Sequence, residues 1–328
     1  MNKTISVVLP NFNGKNLLES FLPFTIMALN QANCAYEIIV VDDVSQDNSI
    51  LFLEENYPEI IQIKNTQNKG FSFSCNQGIL AAKNELVLLL NSDVKLSVDY
   101  LEKLIPYFDD VDTFGVMGQI LDKSGEKIEV AAKVPRFKCL KLKSDKQVHP
   151  KSLFSSKIPT TFLSGANCLI DREKLLDLEG FDEIYSPFYT EDLDLSMRAW
   201  KLGWKCYYEH QATCIHLGSH TTKSHFQKTK IKEIYFRNRM LFHAIHLNRK
   251  DIRRWQFQLF FLEVIPKLLL GQFWILRSYI GLLDHKRQIQ KSRRKIRKLM
   301  MRKRGKKSIA DVTNEIHFLL ENKELNIL

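Results

Sequence analysis

The sequence predicts an α/β fold: a mostly parallel sheet covered by helices on both faces, followed by a C-terminal helical extension. Three observations predict it. Short apolar, β-branched runs alternate with stretches of helical spacing along residues 5–90. Polar clusters stand directly after several of these runs. Beyond Ser219 the chain becomes helical, aromatic and basic.

The first run is Ile5 to Pro10, ended by the turn residues Asn11, Phe12, Asn13 and Gly14. Leu17, Phe21, Leu22 and Ile26 follow at helical spacing. Tyr36 to Val41 is the second run, closing on Asp42 and Asp43, with a helix expected over Ile50 to Glu55. Ile60 to Lys64 and Leu86 to Leu90 are the third and fourth runs, separated by a helix carrying Phe73, Cys75, Ile79 and Leu80. Strands apolar on both faces and separated by helices make a parallel sheet buried on both sides. Ligands of such sheets bind outside the C-terminal strand ends. Asn11 to Asn13, Asp42 and Asp43, and Asn91 to Asp93 all fall there, converging on one crevice. From about Gly115 to Pro159 there are two weak strand signals, Phe114 to Leu121 and Lys127 to Ala131, and then a Lys-rich stretch read as an irregular connection. The cluster Thr190 to Asp194 opens a helix, with Thr190 as its N-cap, acids in the first turn and Gly203 as its stop.

Length and composition narrow the function classes. The 328 residues, 45% hydrophobic and 26% charged with 13 Gly and 9 Pro, describe an ordinary globular protein rather than a disordered or repeat chain. Six scattered cysteines without C-x-x-C spacing support neither a zinc ribbon nor a thioredoxin-like site, and point to a reducing compartment. The N-terminal stretch has no long apolar region or cleavage site, so a cytoplasmic location is expected. The net charge of +11 is concentrated: residues 284–307 hold thirteen Lys or Arg against one acid, leaving the rest near neutral. A nucleic-acid binder is disfavoured, because a near-neutral body offers no basic surface for a base-reading module.

Neither G-x-x-x-x-G-K-[ST] nor a G-x-G-x-x-G after the first strand is present, which removes the main support for P-loop and dinucleotide readings. Acids follow the strands instead, a pattern suited to holding a diphosphate through a divalent metal. VVLPNFNG (7–14), VVDDVSQDNS (40–49), NKGFSFSCNQG (68–78), LLLNSDV (88–94), SGANCLIDR (164–172), GFDE (180–183), YTEDLDLSMRAWKLGW (189–204) and HLGS (216–219) occur in the order found in the glycosyltransferase family 2 enzymes. The chain resembles that family over roughly residues 5–220. The resemblance implies a GT-A, Rossmann-like catalytic domain over residues 1–220, with residues 221–328 as a helical, aromatic and basic extension. It also implies inverting transfer of a sugar from a nucleotide-diphosphate donor to a lipid-linked or polysaccharide acceptor. A sugar nucleotidyltransferase and a non-catalytic scaffold are the alternatives, the first lacking its Gly-rich opening loop here.

Carried over by residue, the resemblance places Pro10, Asn11, Asn13, Asp42 and Asp43 at the nucleotide, with Asp43 on the imide edge of the base. Capping of a helix beginning near Ser45 is the plainer role for Asp42 and Asp43. Asn68, Gly70 and Asn76 match a loop near the ribose and diphosphate; an ordinary strand-to-helix turn explains them equally. Asn91, Ser92 and Asp93 stand where the family carries Asp-x-Asp, so Asp93 becomes a ligand of Mg²⁺ or Mn²⁺. His216 matches a further ligand in some members, and would tilt the preference toward Mn²⁺. Gly165 and Ala166 lie along the donor sugar, and Asp182 orders a loop below the acceptor. In the pair Glu191 and Asp192, Asp192 is the expected base that deprotonates the acceptor hydroxyl; both acids also suit a helix N-terminus. Arg237 and Asn238 match a recurring Arg-Asn, with Arg237 near the diphosphate.

Trp255 to Leu283 is rich in Phe, Leu and Trp but interrupted by Glu263, Pro266, Lys267, Gly271 and Arg277. Its longest charge-free piece, Leu268 to Leu276, has nine residues, short of the ~20 that a spanning helix needs. Interfacial helices beside the basic run are expected to hold the protein on an anionic membrane, peripheral to the inner face of the cell membrane. A lid on the catalytic domain and an oligomerisation element are the competing roles.

Overall fold

The computed structural model describes residues 3–152, 157–217 and 227–328. The boundary expected at residue 220, and Gly218 and Ser219 of the HLGS motif, lie outside the described residues. The expected α/β order is present: β1 (Ile5–Asn11), α1 (Lys15–Gln31), β2 (Tyr36–Asp42), α2 (Ser49–Asn56), β3 (Ile61–Lys64), α3 (Phe71–Ala81) and β4 (Leu86–Leu90). Strand β1 pairs in parallel with both β2 and β4, and β2 with β3. Alternate residues supply the two faces. Val8, Ile39, Val41, Val87 and Leu89 belong to one buried core, while Val7, Leu9, Ile38, Val40, Leu86 and Leu88 belong to the other. That two-sided burial is why the strands read as continuous apolar runs.

The chain continues through β5 (Val94–Leu96), α4 (Tyr100–Leu104), β6 (Thr113–Leu121), β7 (Ile128–Val130), β8 (Ala132–Lys138), β9 (Lys141–Pro150), β10 (Ile158–Pro159), β11 (Asn167–Asp171), α5 (Arg172–Asp177), α6 (Glu191–Lys201) and β12 (Lys205–His216). The order across the main sheet is β10-β12-β6-β11-β4-β1-β2-β3. Strand β11 runs antiparallel between β4 and β6, so the sheet is mixed beyond its parallel first half.

The Lys-rich stretch is more ordered than its sequence suggests. Strands β8 and β9 form an antiparallel hairpin, turned at Cys139 in a left-handed conformation (φ 52°). A third strand, β13 (Leu325–Ile327), joins β9 from the far end of the chain. Leu142 and Val148 face the core while Lys146 is exposed. With few apolar residues on its inner face, the period-two signal is faint, and lysine on a small sheet discourages further pairing.

The C-terminal helices share the core on one face of the sheet. Met240, Leu241, Phe242 and Ile245 on the helix Lys228–His246, and Ile309, Val312 and Ile316 on the helix Ile309–Leu320, pack in the cluster that holds Met197 and Trp200 of α6. Between these two lie the helices Arg249–Leu259 and Ile265–Leu269, joined by one wider turn at Phe260–Val264, and then Trp274–Asp284 and Lys286–Arg302. Among the described residues no helix is long and apolar enough to cross a membrane.

Candidate active site

The polar ends of β1, β2 and β4 open into a cleft of about 570 Å³. Pro10, Asn11, Asp43, Asn68, Gly70, Asn91, Ser92, Asp93, Gly165, Ala166, Glu191, Asp192 and His216 all line it. Residues from seven separated motifs thus meet at one place, as the strand-end argument requires.

Five expected residues stand behind the lining. The Asp42 carboxylate accepts from Asn11 Nδ2 (3.0 Å) and from the backbone N–H (2.9 Å) and hydroxyl of Ser45, fixing the turn that carries Asp43. Asn13 accepts from Gln46 N–H at 2.7 Å and ties the β1 turn to the β2 turn. The Asn76 amide accepts from Phe181 N–H and donates to the Phe181 carbonyl and to Glu183, clamping the GFDE loop onto α3. Arg237 donates to the Ser186 carbonyl, next to Pro187 in the lining. Asp182 accepts from Ile184 N–H in that loop, where it caps a short turn.

Asp43 organises the adjacent loop. Its Oδ1 accepts from Asn65 Nδ2 (2.9 Å) and Lys69 N–H (3.2 Å), and its Oδ2 from Gly70 N–H (2.9 Å). Gly70 has φ +86°, and a Cβ there would stand 2.9 Å from the Pro187 carbonyl, so only glycine fits this turn. Neither Asp42 nor Asp43 caps α2, which begins at Ser49.

At the end of β12, His216 Nε2 lies 3.2 Å from Asp93 Oδ1. The antiparallel register of β5 and β12 sets His216 opposite Val94, the residue after Asp93. This O/N pair suits a divalent cation that takes its remaining ligands from a diphosphate. Among the described residues no group of three or more His, Cys, Asp or Glu gathers at one point. Two buried oxygens of cleft-lining residues, Asn11 Oδ1 and Glu191 Oε2, have no hydrogen-bond partner among the described residues, which leaves acceptor capacity for a bound polar ligand.

The start of α6 is strained. Tyr189 (φ 73°) and Thr190 (φ 81°) are both left-handed, and the Thr190 side chain makes no cap, contrary to its expected role. The backbone is held from outside: Asn238 Nδ2 reaches the carbonyls of Tyr185, Phe188 and Tyr189 at 2.5–2.9 Å. Glu191 and Asp192 follow. Burial, and then the neighbouring charge of Asp192, push the Glu191 carboxyl far above its usual range. Burial also raises Asp192, against the Leu193 N–H at 2.7 Å and the positive charges of Arg239 and Lys133. An acid poised nearer neutrality is suited to proton transfer. One helical turn on, Asp194 is fully paired by Tyr185, Arg198 (2.7 Å) and His246 (2.7 Å). Burial alone would raise it, but Arg198 and His246 hold it well below the carboxylate range.

Phe12 and Ser164, inside the clusters 11–13 and 164–172, also line the cleft, as do Phe71, Ser74, Pro187, Phe188 and Tyr189, which were not legible as site residues. The signal for Phe188 and Tyr189 was their position just before Glu191 and Asp192; Phe71 reads as ordinary helix apolarity.

Comparison with known proteins agrees with this geometry. Over 133 residues the chain is 32% identical to an uncharacterized glycosyltransferase of Nostoc sp., covering 39% of this chain and 40% of that protein. It is 33% identical over 105 residues to the undecaprenyl-phosphate 4-deoxy-4-formamido-L-arabinose transferase of Proteus mirabilis, covering 31% and 32%. The chain spans 32–60% of the length of the first curated relatives it matches. The crystal structure of GalNAc-T7 with UDP, GalNAc and Mn²⁺ superposes with a TM-score of 0.65 at 15% identity, covering 98% of this chain and 58% of that one, a likeness of fold. Residues 6–178, more than half of the chain, match the description "Glycosyl transferase family 2", and the protein belongs to that family.

Proposed function

We propose that this protein is an inverting, divalent-metal-dependent glycosyltransferase that moves a sugar from a nucleoside-diphosphate donor to a hydroxyl of a lipid-linked or polysaccharide acceptor in cell-surface glycan synthesis. The observation that carries the reading is one cleft holding both the Asp93–His216 pair and the buried Glu191–Asp192 pair. Pro10, Asn11 and Asn68 surround the nucleotide, and Asp43 Oδ2, with one donor already bound, accepts the imide N–H of the base. Gly165 and Ala166 let the donor sugar lie close to backbone. Asp93 and His216 would hold a Mg²⁺ or Mn²⁺ ion, which neutralises charge growing on the leaving diphosphate. Asp192 takes the proton of the acceptor hydroxyl as its oxygen bonds to the anomeric carbon. The bond from that carbon to the diphosphate oxygen breaks on the opposite face, which inverts the centre.

The names of similar proteins support the finer points: the Proteus mirabilis relative is named for an undecaprenyl-phosphate substrate, and the GalNAc-T7 structure contains UDP and Mn²⁺. The test is incubation with a panel of nucleotide sugars and glycan acceptors, with Mn²⁺, Mg²⁺ or chelator. Metal-dependent release of nucleoside diphosphate and labelled product is expected. Pyrophosphate as the product would instead identify a nucleotidyltransferase, and no release with any donor would favour a scaffold.

A further inference from the structure

We propose that residues 257–298 form a docking surface for an anionic lipid bilayer. Large apolar side chains rarely gather on a surface exposed to water. Here Phe257, Phe261, Leu262, Leu269 (83% exposed), Leu270 (73%) and Phe273 (70%) lie within one short stretch, and Leu276, Ile280 and Leu283 follow on the helix Trp274–Asp284. The buried residues of that helix are Ile275, Ser278 and Leu282, and Ser278 bonds to the Glu233 carbonyl of the helix beneath it. The inner face is therefore already satisfied, and among the described residues the outer apolar face has no counterpart.

The charge beside it selects the occupant. Only His285 separates this helix from Lys286–Arg302. The three- and four-residue spacing of Leu276, Ile280 and Leu283 continues through Arg287, Lys291, Arg294 and Lys298. These four cations line a groove of about 780 Å³. The helix bearing them is anchored by Ile296, Leu299 and Arg293, whose guanidinium closes the carbonyls of Ala244, Ile245 and Leu247. Lys295, Arg302 and Lys303 are spent on Glu179 and Asp177. Among the described residues no carboxylate pairs with Arg287, Lys291, Arg294 or Lys298 in an ion pair. A folded helix with an unpaired cationic row, running on from an exposed apolar row, matches headgroup and acyl layer together.

The surface also connects to the cleft. Rings touch in sequence from Phe188 to Tyr189 (4.8 Å between centroids), Tyr235 (6.1 Å), Phe236 (5.5 Å) and Trp274 (4.7 Å). Phe188 and Tyr189 line the cleft, and Trp274 adjoins Phe273 on the apolar face. On the transfer reading above, a bilayer at this face brings a lipid-linked acceptor alongside Asp192; the docking itself does not depend on that reading.

The experiment is co-sedimentation of the full chain with vesicles of phosphatidylcholine alone or with added phosphatidylglycerol, at low and high salt. Binding to the acidic vesicles alone, weakened by salt, is expected. Replacing Arg287, Lys291, Arg294 and Lys298 together by Gln should lower partitioning by roughly 10²- to 10³-fold, at ~1 kcal/mol per cation. Replacing Leu269, Leu270 and Phe273 by Ser should also weaken binding but keep its salt dependence. Both variants should retain the wild-type circular dichroism spectrum and, without vesicles, the wild-type rate of nucleoside-diphosphate release, so a failed transfer reading leaves the binding result legible. Equal binding to neutral and acidic vesicles, or unchanged binding of the Gln variant, overturns the proposal. So does a dimer in sedimentation velocity that the Ser variant dissolves, since a second copy would then cover the face.

Discussion

Asp42–Asp43 and Glu191–Asp192 are both adjacent acids at the same cleft, yet their surroundings differ in kind. The first pair receives donors from three loops, including the backbone N–H groups of Ser45, Lys69 and Gly70. The second pair is starved of side-chain donors among the described residues: Glu191 Oε2 has no partner there, and the bonds that the two carboxyls receive come from the nearby backbone of Tyr189, Glu191, Asp192 and Leu193. A carboxylate held by donors from several loops fixes backbone, whereas one whose burial outweighs its few bonds gains proton affinity. Asp42 and Asp43 therefore shape the cleft, and Asp192 is left able to take a proton.

The strongest test of this contrast is Asp192→Asn. It retains size and the helix start but removes the base, so transfer should fall by roughly 10²- to 10⁴-fold with donor binding near normal, measured by steady-state kinetics and donor titration. Wild-type turnover would return Asp192 to a helix-terminus role. Because burial raises Asp192, the wild-type transfer rate should climb with pH through a range above that of an ordinary carboxylate as the active, ionised form accumulates.

Asp194→Ala probes the opposite extreme on the same helix. Its loss would leave Arg198, 3% exposed at the side chain, without its counter-charge. Breaking a buried pair in this way costs about 3–5 kcal/mol, readable as a lowered midpoint in chemical denaturation. A midpoint within error of wild type would show that the network with Tyr185 and His246 is dispensable.

The contrast was only partly legible in the sequence. The parallel strands were, because two-sided burial writes itself as unbroken runs such as LVLLL at 86–90. The thirteen cleft-lining residues among the expected set were legible because strand ends and motif order constrain them together. The division of labour among the acids was not: Asp43 and Asp192 are the same residue type, and the donors that separate them come from Asn65, Lys69 and Gly70 in one case and from the adjacent backbone alone in the other. Asn238 shows a related limit. It steadies the strained turn at Tyr189 from 49 residues along the chain, a distance over which neither spacing nor propensity carries information.

Asp43→Asn should have a smaller effect than either change. The neutral amide can accept through one oxygen only, so either the Gly70 bond to Oδ2 or the Asn65 and Lys69 bonds to Oδ1 are lost, and a hydrogen bond to a charged group is worth ~1.5–3 kcal/mol. Looser ordering of residues 65–70 should raise KM for donor more than it lowers kcat. An unchanged KM would show that the loop is set by its backbone alone.

The smallest effect, and the one that isolates the starved pair, is expected of Glu191→Gln. Burial raises the Glu191 carboxyl, so the folded protein binds this proton more tightly than the unfolded chain does. By linkage, that contribution to stability is fully present below the unfolded value of about 4.3 and is lost as pH rises through the folded value. Above it, the wild type must either ionise a buried group beside Asp192 or hold its proton against the solvent. Glutamine has nearly the same shape and carries no such charge, so the variant should melt close to wild type at about pH 5 and higher than wild type at about pH 9, by roughly 1–2 °C for each kcal/mol relieved in a chain of this length. A thermal melt at the two pH values decides it. If the variant lost stability equally at both, Glu191 would be a hydrogen-bonding element like Asp43, and the division between satisfied and starved acids would not hold.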